Sequence, residues 1–363
     1  MKYFYLLLGL LIVTFSCTTD KSKGYMAFED VIYIDKFPQS ISVTNANKVE
    51  IDIIGILDVT VQDSFLIIST NNREGMWSVF ATYDSLKPLG QFITRGNGPN
   101  EFTYPPSFYD SRFYKSGDQL FAKIFDSRSG RLYDMNVSAS VNNQKLDMKL
   151  IYDSLSNSMF TVIPLEDDNQ IYCRQISHDH TQQNLYIKQK GENLIPDNMM
   201  RLNQAAIERD EDPNILSAIA AKKMGQDTIV EAAVYLNQLN IFSVDGSLGK
   251  TLCVGKQLNS IEEIQQKWRW NRVNTYGGLK LYTNIWCALY IGETNKDSES
   301  GRKNLPVIQI FDWDGNALTE MKLDRNITYF DIDFKNGYLY TFDSMTDEFY
   351  RYNIKDKLQP EWI

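Results

Sequence analysis

A six-bladed, all-β propeller with short helical insertions is the fold this sequence predicts, and three observations carry the prediction. The first is composition. The 363 residues are 43% hydrophobic and 13% aromatic, with 21 Tyr and 19 Phe, and aromatic and β-branched residues fit pleated, half-buried surfaces. The second is an internal repeat. Asp126, Ser127, Leu132, Tyr133 and Asn136 have counterparts at the same offsets in Asp343, Ser344, Phe349, Tyr350 and Asn353. Ile241, Phe242, Asp245 and Gly246 are matched by Ile310, Phe311, Asp314 and Gly315. A shorter version occupies residues 79–84 and a degenerate one residues 185–187. The centres, near residues 80, 133, 186, 242, 311 and 350, lie about 54 residues apart, which makes six units. The third is turn chemistry: Asp-Gly between alternating strands favours tight hairpins, because positive φ is easily reached there.

The elements follow in order. Residues 1–16 read as a secretory signal, with Lys2, an apolar run from Phe4 to Phe15, and Ser16 before Cys17. The run is roughly a dozen residues, short of the roughly 20 a bilayer span needs. Residues 17–24 form a polar tether, and the propeller is expected over residues 25–363. Its first part contains the strand-like Val31–Ile34 and residues 49–53. Because the last unit is short, one of these is expected to close the ring by joining the final blade. Within a unit, an alternating strand comes first (residues 64–68, 119–124, 228–230 and 337–342). A polar turn, the aromatic strand, a hairpin and a closing strand (residues 249–254 and 317–323) follow. Such short sheets cannot bury both faces alone, and radial packing leaves only short edges. A pair of β-sandwiches would need a central linker, for which only the polar stretch at residues 191–227 offers itself. A β-helix would need a much shorter period.

Two stretches break the period and predict helices near residues 199–223 and 260–272. In the first, Leu202, Ala205, Ala206 and Ile207 precede Pro213, which opens a second helix over residues 215–221. In the second, Ser260 and Glu263 have the spacing of a capping box. Ile261, Ile264 and Trp268 then share a helical face. Insertions of this kind either form a binding face or brace the blade edges.

The Cys at the signal's end resembles the bacterial lipoprotein signal, in which that thiol is acylated after cleavage. This resemblance implies that Cys17 carries a lipid and is the chain's sole attachment to the membrane. Thr18 follows it rather than Asp, which favours the outer membrane, and no acidic cluster follows, which leans toward its periplasmic side. Gly96, Gly98, Pro99, Glu101 and Phe102 resemble the Gly-x-Gly-Pro-x-Glu-Phe segment of the six-bladed, TolB-like propeller lipoproteins of Gram-negative envelopes. With the lipidated Cys and the Phe-Asp-x-Asp-Gly hairpin at Phe311, the resemblance covers nearly the whole mature chain. It implies a fold and a location, and no activity.

A net charge of −9 argues against nucleic acid, which requires a basic face to displace counterions. Cys173, Cys253 and Cys287 lie in apolar, strand-like contexts and are expected as buried free thiols, a disulfide between two of them being the alternative in an oxidising envelope. The chain has only 2 His, His178 and His180. Zinc sites normally need three or four ligands, so no metal and no cofactor is expected. No Gly-x-Ser-x-Gly elbow occurs. The 46 acidic residues offer many carboxylate pairs, and spacing selects none of them. Two clusters remain as binding candidates. Arg95, Asn97 and Glu101 either line the axial opening or brace their own loop, for example as an Arg95–Glu101 pair, with Gly96 and Gly98 supplying positive φ. Trp268, Trp270 and Arg272, with flat aromatics beside guanidinium groups, suit sugars, peptides or a protein surface; docking of a helix on a blade is the alternative. The expectation is a monomeric, non-catalytic envelope protein that holds a peptide, glycan or partner protein on a propeller face. A propeller hydrolase or lyase acting on glycans is the alternative.

Overall fold

Strand pairing follows the repeat. The computed structural model describes residues 24–83, 86–153, 155, 159–301 and 304–363. The signal, Cys17 and most of the tether lie outside the described residues. The chain enters through three strands, β1 (Val31–Ile34), β2 (Gln39–Val43) and β3 (Asn47–Lys48). Blade 1 comprises β4 (Ile56–Gln62), β5 (Phe65–Thr70), β6 (Trp77–Ala81) and β7 (Pro88–Phe92). Blade 2 comprises β8 (Arg112–Ser116), β9 (Gln119–Asp126), β10 (Arg131–Asn136) and β11 (Met148–Tyr152), with α1 (Val137–Asn143) after its third strand. Blade 3 comprises β12 (Met159–Pro164), β13 (Gln170–Ile176), β14 (Gln183–Gln189) and β15 (Glu192–Leu194). After α2 (Asp197–Leu202), blade 4 comprises β16 (Ala218–Lys222), β17 (Thr228–Ala233), β18 (Gln238–Ser243) and β19 (Gly249–Val254). After α3 (Ile261–Gln265), blade 5 comprises β20 (Val273–Leu281), β21 (Ile285–Thr294), β22 (Val307–Asp312) and β23 (Ala317–Leu323), with α4 (Asn295–Glu299) between its second and third strands. Blade 6 comprises β24 (Tyr329–Asp333), β25 (Tyr338–Asp343) and β26 (Glu348–Asn353), and its fourth strand is β3.

The repeat centres fall on the third strand of every blade, and the strands expected to open each unit are the second strands. The unit of the sequence is therefore offset by one strand from the blade. Inner strands such as β4 and β16 carry no aromatic residue, whereas every third strand does.

Packing explains why the middle strands read as unbroken apolar runs. Alternate residues of a strand point to opposite faces, and in a propeller both faces meet a neighbouring blade. On β18, Leu239 and Ile241 pack toward blade 5 while Phe242 packs toward blade 3. On β22, Ile308 and Ile310 face blade 6, and Phe311 stacks on Trp286 at 4.3 Å in the layer against blade 4. Six hydrophobic clusters result, one in each gap between neighbouring blades. Gly246 and Gly315 adopt φ +82° and +89° at their hairpins, a region that costs a β-carbon-bearing residue energy. Cys173, Cys253 and Cys287 are buried and unbridged.

Ring closure uses a different strand from either one expected. β3 pairs antiparallel with β26 through Asn47 and Lys48, and residues 49–53 form no strand. Val31–Ile34 instead adds a parallel fifth strand to β19 of blade 4, and β2 does the same on β23 of blade 5. The N-terminal segment is thus a strap that crosses the outer edges of blades 4, 5 and 6 before blade 1 begins.

The helical insertions are shorter than expected. In the first region only Asp197–Leu202 is α-helical, Pro213–Leu216 is a single 3₁₀ turn capped by Asp212, and Ala218–Lys222 is strand β16. The expected second helix over residues 215–221 is therefore corrected. Tertiary pairing overrides the helix propensity of its alanines, because blade 4 needs an inner strand to pair with β17. In the second region both halves of the capping box form, and Ile261 and Ile264 are buried. The helix ends at Gln265, so Trp268 leaves their face and lies exposed.

Candidate functional site

The first strand of each blade lies nearest the propeller axis. At their C-terminal ends the six inner strands and the hairpins after them enclose an axial cavity of about 720 Å³. Its wall mixes aromatic side chains (Phe108, Tyr109, Phe113, Tyr114, Tyr282, Phe334 and Trp362) with ionisable ones. These charges fall into two networks.

The first network joins blades 5, 6 and 1. Lys280 on β20 donates to the Val59 carbonyl at 2.6 Å and approaches Asp58 at 3.5 Å and Asp331 at 3.9 Å. Asp331 on β24 accepts from Thr60 Oγ1 at 3.1 Å, the Val61 amide at 2.8 Å and the Tyr282 hydroxyl at 2.6 Å. Burial raises the Asp58 carboxyl above its ordinary value, with the Lys280 charge opposing. The second network joins blades 2, 3 and 4 at the cavity mouth. Arg112 donates to Glu166 at 2.6 Å and to the Leu165 carbonyl, and Lys222 donates to Glu166 at 2.5 Å. Burial works against the charged form of Glu166, but Lys222 and Arg112 outweigh it and hold its carboxyl below the usual range. Lys123, almost wholly buried on β9, pairs with Asp168 of the hairpin between β12 and β13. Asp63 pairs with Lys115 at 3.3 Å, and Asp333 accepts from the amide nitrogen of Asn336 and from its side chain. The carboxylates of the wall are thus engaged by cations or N–H groups of the protein itself.

One further carboxyl lies between the lining residues Tyr109 and Ser111 without itself lining the cavity. Asp110, just before β8, accepts the Val162 amide at 3.2 Å, and burial raises its carboxyl to about 7.

A second concavity lies at the other end of the strands. β20 begins there with Arg272 and Asn274 beside it and ends at the axial cavity with Leu279–Leu281. This groove has a volume of about 900 Å³ and is walled by Glu211 to Asn214, Gln265 to Arg272 and the α4 segment. Trp268 is 65% exposed on its rim. Trp270 is half-buried, with the Arg269 guanidinium 4.9 Å over its ring. Arg272 is buried and donates to Asp212 at 3.0 Å and to Glu211 at 3.4 Å. It anchors the tryptophan-bearing turn from beneath.

Arg95, Asn97 and Glu101 line neither concavity. Their loop follows blade 1 and holds itself together: Glu101 accepts the Gly98 amide at 2.8 Å, and Arg95 Nε donates to the Thr103 carbonyl at 3.1 Å. Thr103 Oγ1 reaches Asn97 at 3.5 Å. Gly96 and Gly98 are absent from the positive-φ glycines. Their lack of a β-carbon serves close approach instead, since a Cβ on Gly96 would sit 1.8 Å from the Glu101 carboxylate. His178 and His180 are exposed in the turn between β13 and β14, where Asp179 accepts from Ser177. Glu166 to Asp168 lie at the opposite end of β13. Among the described residues, no group of three or more His, Cys, Asp or Glu could hold a metal ion.

Sequence reasoning expected an axial opening but named none of the residues that line it. Its residues come from seven distant segments, and the only local sign was a charged residue near the end of several inner strands, such as Lys222, Lys280 and Asp331.

Fold and concavities together define a six-bladed propeller scaffold suited to binding. Among solved structures, a member of the DUF4221 family from Bacteroides vulgatus matches with a TM-score of 0.52 at 11% identity, over 85% of this chain and 95% of that one. The WD40 domain of Neurospora crassa Pan2 matches with 0.42 at 12% identity, over 89% of this chain and 99% of that one. Chaetomium thermophilum Raptor matches with 0.44 at 13% identity, over 88% of this chain but 30% of that one. These likenesses are of fold alone. No family model and no curated protein matches the chain.

Proposed function

We propose that this protein is a lipid-anchored binding or assembly protein of the Gram-negative envelope, related to the TolB-like propeller lipoproteins. It is tethered through Cys17 to the outer membrane, on the periplasmic side, and holds a peptide, glycan or partner protein on a propeller face. The observation that carries the binding reading is the axial cavity. It is concave, bears seven aromatic side chains and is of ligand size, yet its wall carboxylates are already engaged internally. General acid–base catalysis needs a group free to exchange a proton with substrate. The N-terminal signal and the glycine motif support the location.

One observation favours the second reading, a glycan hydrolase or lyase. Asp110 sits between the cavity-lining Tyr109 and Ser111, and its raised carboxyl matches the protonation a general acid near neutral pH requires. Capture from native envelopes with the lipidated protein as bait tests the first reading. A partner or glycan should be retained, and retention should weaken in a Phe334→Ala, Tyr114→Ala double variant of the cavity wall. Turnover of envelope glycans that Asp110→Asn abolishes would replace binding with catalysis.

A further inference from the structure

The groove at the N-terminal end of β20 has features the axial cavity lacks. Its aromatic rings stand on a rigid base. The 3₁₀ turn Arg269–Asn271 is held by Asn295, which donates to the Arg269 carbonyl at 2.6 Å, and Asn274 in turn donates to Asn295 at 2.8 Å. From beneath, Arg272 ties the turn's end to Asp212 and Glu211. A large apolar ring left 65% exposed at Trp268 on so fixed a support costs solvation that nothing in the fold offsets. Aromatic residues held in this way serve contact.

The rest of the lining says what kind of contact. Glu211, Asp212 and Glu299 face Lys267, Arg269 and Arg272, so the acids and bases are equal in number. A charge-balanced wall gives no field to steer a polyanion or a polycation. Between the charges stand side-chain amides: Gln265 presents donor and acceptor together, while Asn214, Gln266, Asn274 and Asn295 each make an internal bond and keep their remaining amide capacity. A protein partner would favour an apolar centre. Here the large rings are Trp268, Trp270 and Tyr235, set among polar groups. Rings for the C–H faces of a flat molecule, with amides at its edges, match the two-sided chemistry of a sugar.

We infer that this groove is a binding site for a neutral oligosaccharide, with Trp268 as the stacking platform and the amides as hydroxyl partners. It lies on the face opposite the axial cavity and rests on the binding reading above only in that the protein is not itself the catalyst. The test is titration of the whole mature protein with maltohexaose, cellohexaose and chitohexaose, read by tryptophan fluorescence and calorimetry. At least one sugar should bind and shift the indole emission. Trp268→Ala should weaken it about tenfold or more, as loss of an aromatic anchor does, and leave the melting temperature unchanged because the ring is exposed. Trp268→Phe should restore part of the affinity. No binding of any of the three at millimolar concentration, or binding indifferent to Trp268→Ala, overturns the inference. So does a Trp268-dependent protein partner captured from envelopes without sugar binding. Capture that depends on the axial cavity, with the sugars inert, would sink this site and leave the binding reading standing.

Discussion

Asp331 shows how one side chain in a propeller is shared among blades. It sits on blade 6, accepts from Thr60 and Val61 of blade 1 and from Tyr282 of blade 5, and lies 3.9 Å from Lys280. Removing it leaves these donors without their acceptor and takes one of two carboxylates from beside the buried Lys280. Asp331→Ala should therefore destabilise the fold by about 3–5 kcal/mol, the cost of breaking a buried ionic network. Asp331→Asn, which keeps an acceptor, should cost less, and urea denaturation of both variants checks the order. Asp110 supplies a pH test. Its folded carboxyl is raised to about 7 by burial, above the ordinary value of about 4 for an unfolded Asp. Between these values the folded state holds the proton that the unfolded state has released. Its contribution is complete below about pH 4 and is lost as pH rises through about 7. The melting temperature should fall across that window, and Asp110→Asn should flatten the fall. An unchanged slope in the variant would mean that Asp110 does not titrate there.

Elements carry a second lesson, because the same length of chain serves different ends according to what it can pair with. The strap adds β1 and β2 as fifth strands to complete blades, while β3 supplies a strand that blade 6 lacks. Removing residues 24–44 exposes two sheet edges but leaves the ring closed, so the protein should melt cooperatively at a lower temperature. Removing residues 24–55 also takes the closing strand and should abolish cooperative unfolding. Retention of one sharp transition in the longer deletion would show that closure does not depend on β3. Calorimetry distinguishes the outcomes. The helices follow the same logic: the capping box at Ser260 forms where its signature predicts, since its bonds are local, whereas residues 218–222 become strand because β17 needs a partner.

At the scale of the whole molecule, the six apolar layers make the ring one mechanical unit, and the lipid proposed on Cys17 would set where that unit works. Cys17→Ala should release the body from the membrane fraction; a variant that stays membrane-bound after a salt wash would refute the anchor. Much of this architecture was legible. Composition, the recurring aromatic strand and the Asp-Gly hairpins express local conformational preferences, and repetition multiplies a weak local signal six times. The capping box was legible for the same reason, its partners being a few residues away, whereas the glycine motif braces its loop through Gly98–Glu101 and Arg95–Thr103 bonds rather than through the expected positive φ and Arg95–Glu101 pair. The fate of Val31–Ile34, the strand at Ala218, the support role of Arg272 and the lining of the axial cavity were not legible. Each depends on groups far apart in the chain, such as Tyr33 beside Cys253 or Asp58 beside Lys280. Only closing the ring brings such groups together, so no stretch of sequence carries their encounter.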